Sequence, residues 1–293
     1  MSDRASDREY VLTVSCPDTR GIVAGVATLL AGHGCNITES QQFGDRYTDR
    51  FFMRVQFVAE PASAGEAVGE DVLRGAFASL ARDFGMEWDL RRRDVRPRML
   101  VLVSKFGHCL NDLLYRQRSG LLDIDIVAVV SNHPDLEFLA RSYELDFHHL
   151  PVGRENKREQ EARLLELVDS YDVDLVVLAR YMQVLSEELC AKMPGRIINI
   201  HHSFLPSFKG ARPYHQAHAR GVKLVGATAH YVTADLDEGP IIEQEISRVD
   251  HTHSPEQLAA LGRDMESVAL ARAVNWHAQR RVLLNGSKTV VFQ

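Results

Sequence analysis

Four short apolar runs beyond residue 98 restrict the fold of this chain more than any other feature. They are residues 99–103 (Met-Leu-Val-Leu-Val), 124–130, 175–178 (Leu-Val-Val-Leu) and 197–200, where Ile197, Ile198 and Ile200 surround Asn199. Each is of strand length, and runs with so few polar positions belong to strands buried on both faces. Helical patterns lie between them. Leu110, Leu113 and Leu114 mark one. Asn132-His133-Pro134-Asp135 opens another, through Leu139 and Tyr143. Residues 154–170 form a third, with Leu164, Leu165, Leu167 and Val168 on its apolar side. Residues 145–150 add a shorter strand. This alternation predicts an α/β fold, a Rossmann-like and mostly parallel sheet with helices on both faces.

Past residue 200 the pattern changes. Residues 222–232 and 241–249 read as two strands joined by a short connection, and so antiparallel. Ser254-Pro255-Glu256-Gln257 starts a helix, with Ser254 as N-cap, Pro255 at the first position and Gln257 closing a capping box. That helix continues to about Arg280. Asn285-Gly286 signals a final hairpin.

The first part of the chain follows other rules. Residues 10–15 read as a strand. Ile22, Val23, Val26, Leu29 and Leu30 follow at helical spacing, and residues 35–43 form a second strand. Phe51, Met53, Val55 and Phe57 alternate with Phe52, Arg54 and Gln56. Leu73, Phe77, Leu80 and Phe84 mark a second helix, and Met86, Trp88 and Leu90 a last strand. The order β-α-β-β-α-β is ferredoxin-like. A chain of 293 residues has room for two domains. The expected division is 8–92, a linker at 93–98 that continues the run Arg91-Arg92-Arg93-Asp94-Val95-Arg96-Pro97-Arg98, and 99–293.

Composition excludes several functions. A net charge of -6 argues against a nucleic-acid partner. No apolar run reaches membrane-spanning length, and residues 1–9 lack a signal-peptide core, so a cytoplasmic protein without membrane attachment is expected. Cys16, Cys35, Cys109 and Cys190 form no close pair and read as free thiols. The turn after the first buried strand is Ser104-Lys105-Phe106-Gly107-His108-Cys109, neither a dinucleotide fingerprint nor a P-loop, so neither NAD nor ATP is expected. His201, His202, His215, His218, His230, His251 and His253 are close in sequence, yet no H-E-x-x-H or cysteine pair accompanies them, and no metal is expected.

Asn199 and His201 stand two apart on a strand and share a face at its end, where open α/β sheets bind ligands. Asp237 lies in an acidic turn before Gly239-Pro240. A carboxylate orients an imidazole and takes a proton from water, and an amide donates to an oxyanion. The trio suits acyl transfer without a covalent enzyme intermediate. Taken singly, each residue also fits a structural role: a satisfied amide, a capping histidine, a turn former.

Two motifs carry a resemblance. Asn199-Ile200-His201-His202-Ser203-Phe204-Leu205-Pro206-Ser207-Phe208-Lys209-Gly210, and the stretch from His230 through Asp237 to Ile242, resemble the folate-dependent formyltransferases across residues 98–290. The resemblance implies that Asn199, His201 and Asp237 are catalytic. It implies that Met182, Gln183, Val184 and Leu185, with Thr233, Ala234 and Asp235, hold the folate. Asp18-Thr19-Arg20-Gly21-Ile22-Val23 and Gly34-Cys35-Asn36-Ile37 resemble the ACT regulatory domains. That implies a homo-oligomer and an amino-acid effector, glycine or methionine, near Gly34 and Asn36. Gly107-His108-Cys109 replaces the Gly-Ser-Asn of the glycinamide ribonucleotide transformylases. An ACT domain ahead of Asn199-Ile200-His201-His202, with histidine where the transferases more often have proline, is similar to the arrangement in formyltetrahydrofolate deformylases. The resemblance implies hydrolysis of 10-formyltetrahydrofolate to tetrahydrofolate and formate, balancing one-carbon and purine metabolism. Water is then the acceptor, His202 neighbours its site, and no cofactor beyond the folate substrate is needed. Transfer to an amine, on a ribonucleotide or amino sugar, is the alternative, and a non-catalytic amino-acid sensor is a further one.

Overall fold

The computed structural model describes residues 8–60, 67–202 and 213–293; residues 203–210 of the first motif and the polar start of the chain at 1–7 lie outside these. The described chain separates into two units. Among the described residues, one comprises 8–60, 67–96, 280–285 and 290–293, the other 97–202, 213–279 and 286–289.

The first unit runs β1 (Arg8–Pro17), α1 (Ile22–Gly32), β2 (Cys35–Asp45), β3 (Arg50–Ala59), α2 (Glu70–Phe84) and β4 (Glu87–Arg92). Its sheet order is β2-β3-β1-β4, all neighbours antiparallel, as the β-α-β-β-α-β reading requires. Gly34 takes φ +69 between α1 and β2, a conformation costly for a residue with a Cβ. Val26 and Leu30 of α1 and Leu73 and Phe77 of α2 cover Met53, Val55 and Phe57 of β3. The alternation in β3 predicts one apolar face, yet Phe52 on the other face is also fully buried. Leu283, Phe292 and Val290 from the end of the chain pack on it. Beside them Arg54, 1% exposed, pairs with Glu39 at 3.2 Å, and Glu39 also holds Arg281 at 3.0 Å. These terminal segments group with the first unit, where the sequence reading had put them in the second.

The second unit runs β5 (Arg98–Val103), α3 (His108–Arg118), β6 (Asp125–Ser131), α4 (Glu137–Ser142), β7 (Asp146–His149), α5 (Lys157–Ser170), β8 (Leu175–Leu178), α6 (Glu187–Lys192), β9 (Ile197–His201), α7 (Pro213–Arg220), β10 (Leu224–Tyr231), β11 (Ile241–Arg248) and α8 (Pro255–Ala278). β12 (Val282–Asn285) and β13 (Lys288–Val291) make the terminal hairpin. The sheet order is β11-β10-β9-β8-β5-β6-β7. Strands β5 to β9 are parallel; β10 runs antiparallel to both its neighbours. The apolar residues of these runs are buried, Val127 only partly, with Met99 to Val103 at 0% exposure. The capping box is formed: the Gln257 N–H donates to Ser254 Oγ, and the Ser254 N–H to Gln257 Oε1. α6 and α7, of 6 and 8 residues, are additions that periodicity did not reveal. From the central β5 the chain steps to β6 and β7 on one side, then to β8 and β9 on the other. The carboxyl ends near this reversal are where a doubly wound sheet opens a crevice.

Candidate active site

Strand register assembles the site. Leu178 of β8 lies beside Asn199 of β9, and Asn199 lies opposite His230 of β10. These three residues back a cavity of about 240 Å³. The loop after β8 forms one wall, with Met182, Gln183, Val184 and Leu185. The loop after β10 forms another, with Thr233, Ala234, Asp235 and Asp237. Asn199, His201 and His202 complete it. All the residues expected at a catalytic or folate position therefore line one cavity. Gly34 and Asn36 lie in the first unit, exposed on the turn into β2.

Two hydrogen bonds anchor the β8 loop: Ser104 Oγ donates to Asn132 Oδ1 at 2.6 Å and accepts from the Met182 N–H at 2.9 Å. Met182 is 55% exposed and Val184 52%, whereas Leu185 is buried in the core beneath. Apolar side chains left half open on a cavity wall are what a flat aromatic ligand needs; a core position would be closed.

The β10 loop is held by the Tyr231 N–H donating to the Pro240 carbonyl at 2.9 Å. A Cβ on Gly239 would sit 1.8 Å from the Tyr231 carbonyl oxygen, so only glycine lets the turn pass. Asp237 has φ +57, in the left-handed region that aspartate tolerates better than most residues. The turn aims its carboxylate at two rings. Oδ2 lies 3.3 Å from His201 Nδ1, and Oδ1 lies 3.7 Å from His230 Nε2. The contact to His201, then that to His230, hold the Asp237 carboxyl well below the usual carboxylate range, against the opposing effect of burial.

His230 is the residue that sequence reasoning quoted but assigned no role. It is 2% exposed, and its Nδ1 donates to the Tyr231 carbonyl at 2.9 Å. Its Nε2 lies 3.2 Å from Asn199 Nδ2. Its opposition to Asn199 across β9 and β10 was the available signal.

β9 ends at His201, and His202, one residue beyond it, lines the same cavity. The two rings stack, centroids 4.9 Å apart. Burial, then the charge on Arg180, lowers the His202 pKa to about 4, so the ring is neutral at physiological pH.

Behind Arg180, another lining residue, sits Glu266 of α8, 1% exposed. His108 Nε2 approaches its Oε2 at 2.7 Å, Arg180 Nε approaches the same oxygen at 3.3 Å, and Tyr214 donates to Oε1 at 3.1 Å. His108, Cys109 and Glu266 have ligand atoms within 4.8 Å of one another, as a cation site would need. The Arg180 cation already occupies that carboxylate, and burial pushes the Cys109 thiol up, away from the thiolate that binds metal. These donors fit a buried ion pair better than a metal.

A formyl transferase family model matches residues 97–274, and an ACT domain model matches residues 10–70. A formyltetrahydrofolate deformylase of Corynebacterium sp. (strain P-1) is 52% identical over 284 residues, 97% of this chain and 98% of that one. The crystal structure of a formyltetrahydrofolate deformylase from Burkholderia mallei superposes with a TM-score of 0.92 at 53% identity, covering 98% of this chain and all of that one. Glycinamide ribonucleotide transformylase 1 of Symbiobacterium toebii, at 33% identity and a TM-score of 0.63, covers 68% of this chain and 95% of its own. The full-length similarity includes both units, and the chain belongs to the formyltetrahydrofolate deformylase family.

Proposed function

We propose that this chain hydrolyses 10-formyltetrahydrofolate to tetrahydrofolate and formate, and that Asn199, His201 and Asp237 carry the reaction. The supporting observation is the 3.3 Å approach of an ionised Asp237 to His201, beside Asn199, in a cavity with open apolar walls. The pterin lies between the β8 loop, at Met182, Gln183, Val184 and Leu185, and the β10 loop, at Thr233, Ala234 and Asp235. The formyl group then reaches the trio.

A water adds to the formyl carbon, with His202 beside it. A carboxylate held so far below its ordinary range is a weak base alone, so the His201–Asp237 pair takes the water proton as a unit. The imidazolium and the Asn199 N–H stabilise the tetrahedral oxyanion. The C–N10 bond breaks as N10 receives a proton from His201, and formate leaves carrying the water oxygen. Isotope-labelled 10-formyltetrahydrofolate, incubated without an acceptor, tests this. Stoichiometric labelled formate is expected; a transferase would hold its formyl group until an amine was added, and a non-catalytic sensor would release none.

The ACT unit suggests an amino-acid effector, glycine or methionine, at the turn of Gly34 and Asn36, and association of chains through its sheet. Titrating each amino acid against formate release tests the effector, and sedimentation the association. No described helix is long and apolar enough to cross a membrane. The four cysteines are free, which suits a reducing cytoplasm.

A further inference from the structure

Arg180 occupies a backbone conformation that its side chain should avoid. Its φ is +66, in the left-handed region where glycine is at ease and a long side chain is strained. Its guanidinium is nonetheless fixed. Nε is sealed from solvent and lies 3.3 Å from Glu266 Oε2, close enough to pair but angled away from a hydrogen bond. The Phe106 ring lies 5.8 Å from the guanidinium carbon.

Glu266 is itself locked. Burial acts to raise its carboxyl pKa, but the contact to His108 and the charge of Arg180 outweigh this, and it lies below its ordinary range. Tyr214 reaches it only because residue 262 has no side chain: a Cβ there would stand 1.8 Å from the Tyr214 oxygen. Side chains from α3, the β8 loop and α7 thus converge on one carboxylate in α8.

We propose that Arg180, positioned by Glu266, is the residue that makes water the formyl acceptor. The inference rests on the hydrolase reading above. Arg180 lines the same cavity as His201 and His202, and its charge is felt at the His202 ring. A guanidinium offers five N–H donors, no acceptor, and a permanent positive charge. An incoming amine meets two obstacles there. Its ammonium form is repelled by the guanidinium. Its carbon substituent must share the cavity with a long side chain that lines it. Water is uncharged, is smaller than any amine with a carbon substituent, and has two lone pairs to offer such a wall. Formate, the product, is an anion and is received by the same wall.

The experiment compares wild type, Arg180→Gly, Arg180→Gln and Glu266→Gln. Each is incubated with labelled 10-formyltetrahydrofolate with and without glycinamide as a small primary amine. Mass spectrometry of N-formylglycinamide, with labelled formate, gives the partition ratio. Wild type yields formate alone. Arg180→Gly suits the backbone and should fold; Arg180→Gln keeps the length but not the charge. Both should raise the partition toward the amine by at least about tenfold, the scale of a lost pocket discrimination. Glu266→Gln should shift it in the same direction by less, a change that loss of stability alone does not produce. A ratio unmoved in the Arg180 variants or in Glu266→Gln overturns the proposal. Absence of formate from wild type would instead remove the hydrolase reading on which it rests.

Discussion

Replacing Asp237 by asparagine isolates the charge of the trio from its shape. Asparagine is the residue closest in size and, like aspartate, tolerates the left-handed φ of +57 that the turn imposes. The backbone clasp from Tyr231 to Pro240 does not involve the side chain. What is lost is the carboxylate facing His201 at 3.3 Å. At that separation an effective dielectric of 20 gives about 5 kcal/mol of attraction for an imidazolium. The two side chains are 13% and 27% exposed, and solvent reduces the net effect. About 3 kcal/mol remains as a reasonable share of transition-state stabilisation, roughly two orders of magnitude in rate. The charge matters once His201 is protonated, so kcat should fall while the Kd for a non-hydrolysable folate changes little. Formate release under saturating substrate measures the first, and fluorescence titration the second. His201→Asn, alone and with Asp237→Asn, completes a double-mutant cycle, where the pair should cost scarcely more than His201→Asn alone. Turnover of Asp237→Asn within about fivefold of wild type would refute the role of the carboxylate.

Three other substitutions test separate parts of the structure. Gly239→Ala places a Cβ against the Tyr231 carbonyl, the acceptor of the His230 ring, so it should lower stability by about 2 kcal/mol and abolish formate release, read by denaturant unfolding and by activity. His202 has a pKa lowered from 6.5 to about 4, so the unfolded chain binds a proton in that window that the folded chain rejects. Its contribution to stability is constant above about pH 6.5 and falls on acidification toward pH 4, by on the order of 3 kcal/mol, and His202→Gln should remove that component from urea midpoints measured across the range. Glu39→Gln removes the shared partner of Arg54 and Arg281; because Glu39 is 31% exposed, a cost of about 1–2 kcal/mol is expected, smaller than for a fully buried pair, and unchanged urea unfolding would contradict it.

Much of the fold was legible because its signals are local. Unbroken apolar runs announced the parallel strands. The Ser254 capping box and the antiparallel pairing of β10 with β11 followed from residues close in sequence. The features that escaped depend on contacts between distant segments. Phe52 shows the expected alternation, but the chain that buries its face arrives more than two hundred residues later at Leu283 and Phe292. The partner of Arg54 is likewise shared with Arg281. α6 and α7 are too short for periodicity to stand out against turns.

The site divides along the same line. Asn199, His201 and Asp237 lie in two contiguous motifs, and register alone sets Asn199 opposite His230. Arg180 and Glu266 are 86 residues apart in sequence and join only once α8 packs against the sheet. Their arrangement breaks the local rule that a left-handed position prefers glycine, and it sets an acid 1% exposed in the core of its unit. Neither choice favours folding by itself. Aspartate at a left-handed φ, as in Asp237, is cheap and carries little information; arginine at one is not, and calls for a return elsewhere. A turn carrying glycine at position 180 would leave open the part of the cavity beside His201 and His202. Arginine there leaves the trio intact and changes what can approach it. In the proposed reading the chemistry rests on β9 and the β10 loop, whereas the choice of acceptor rests on a strained loop and the helix behind it.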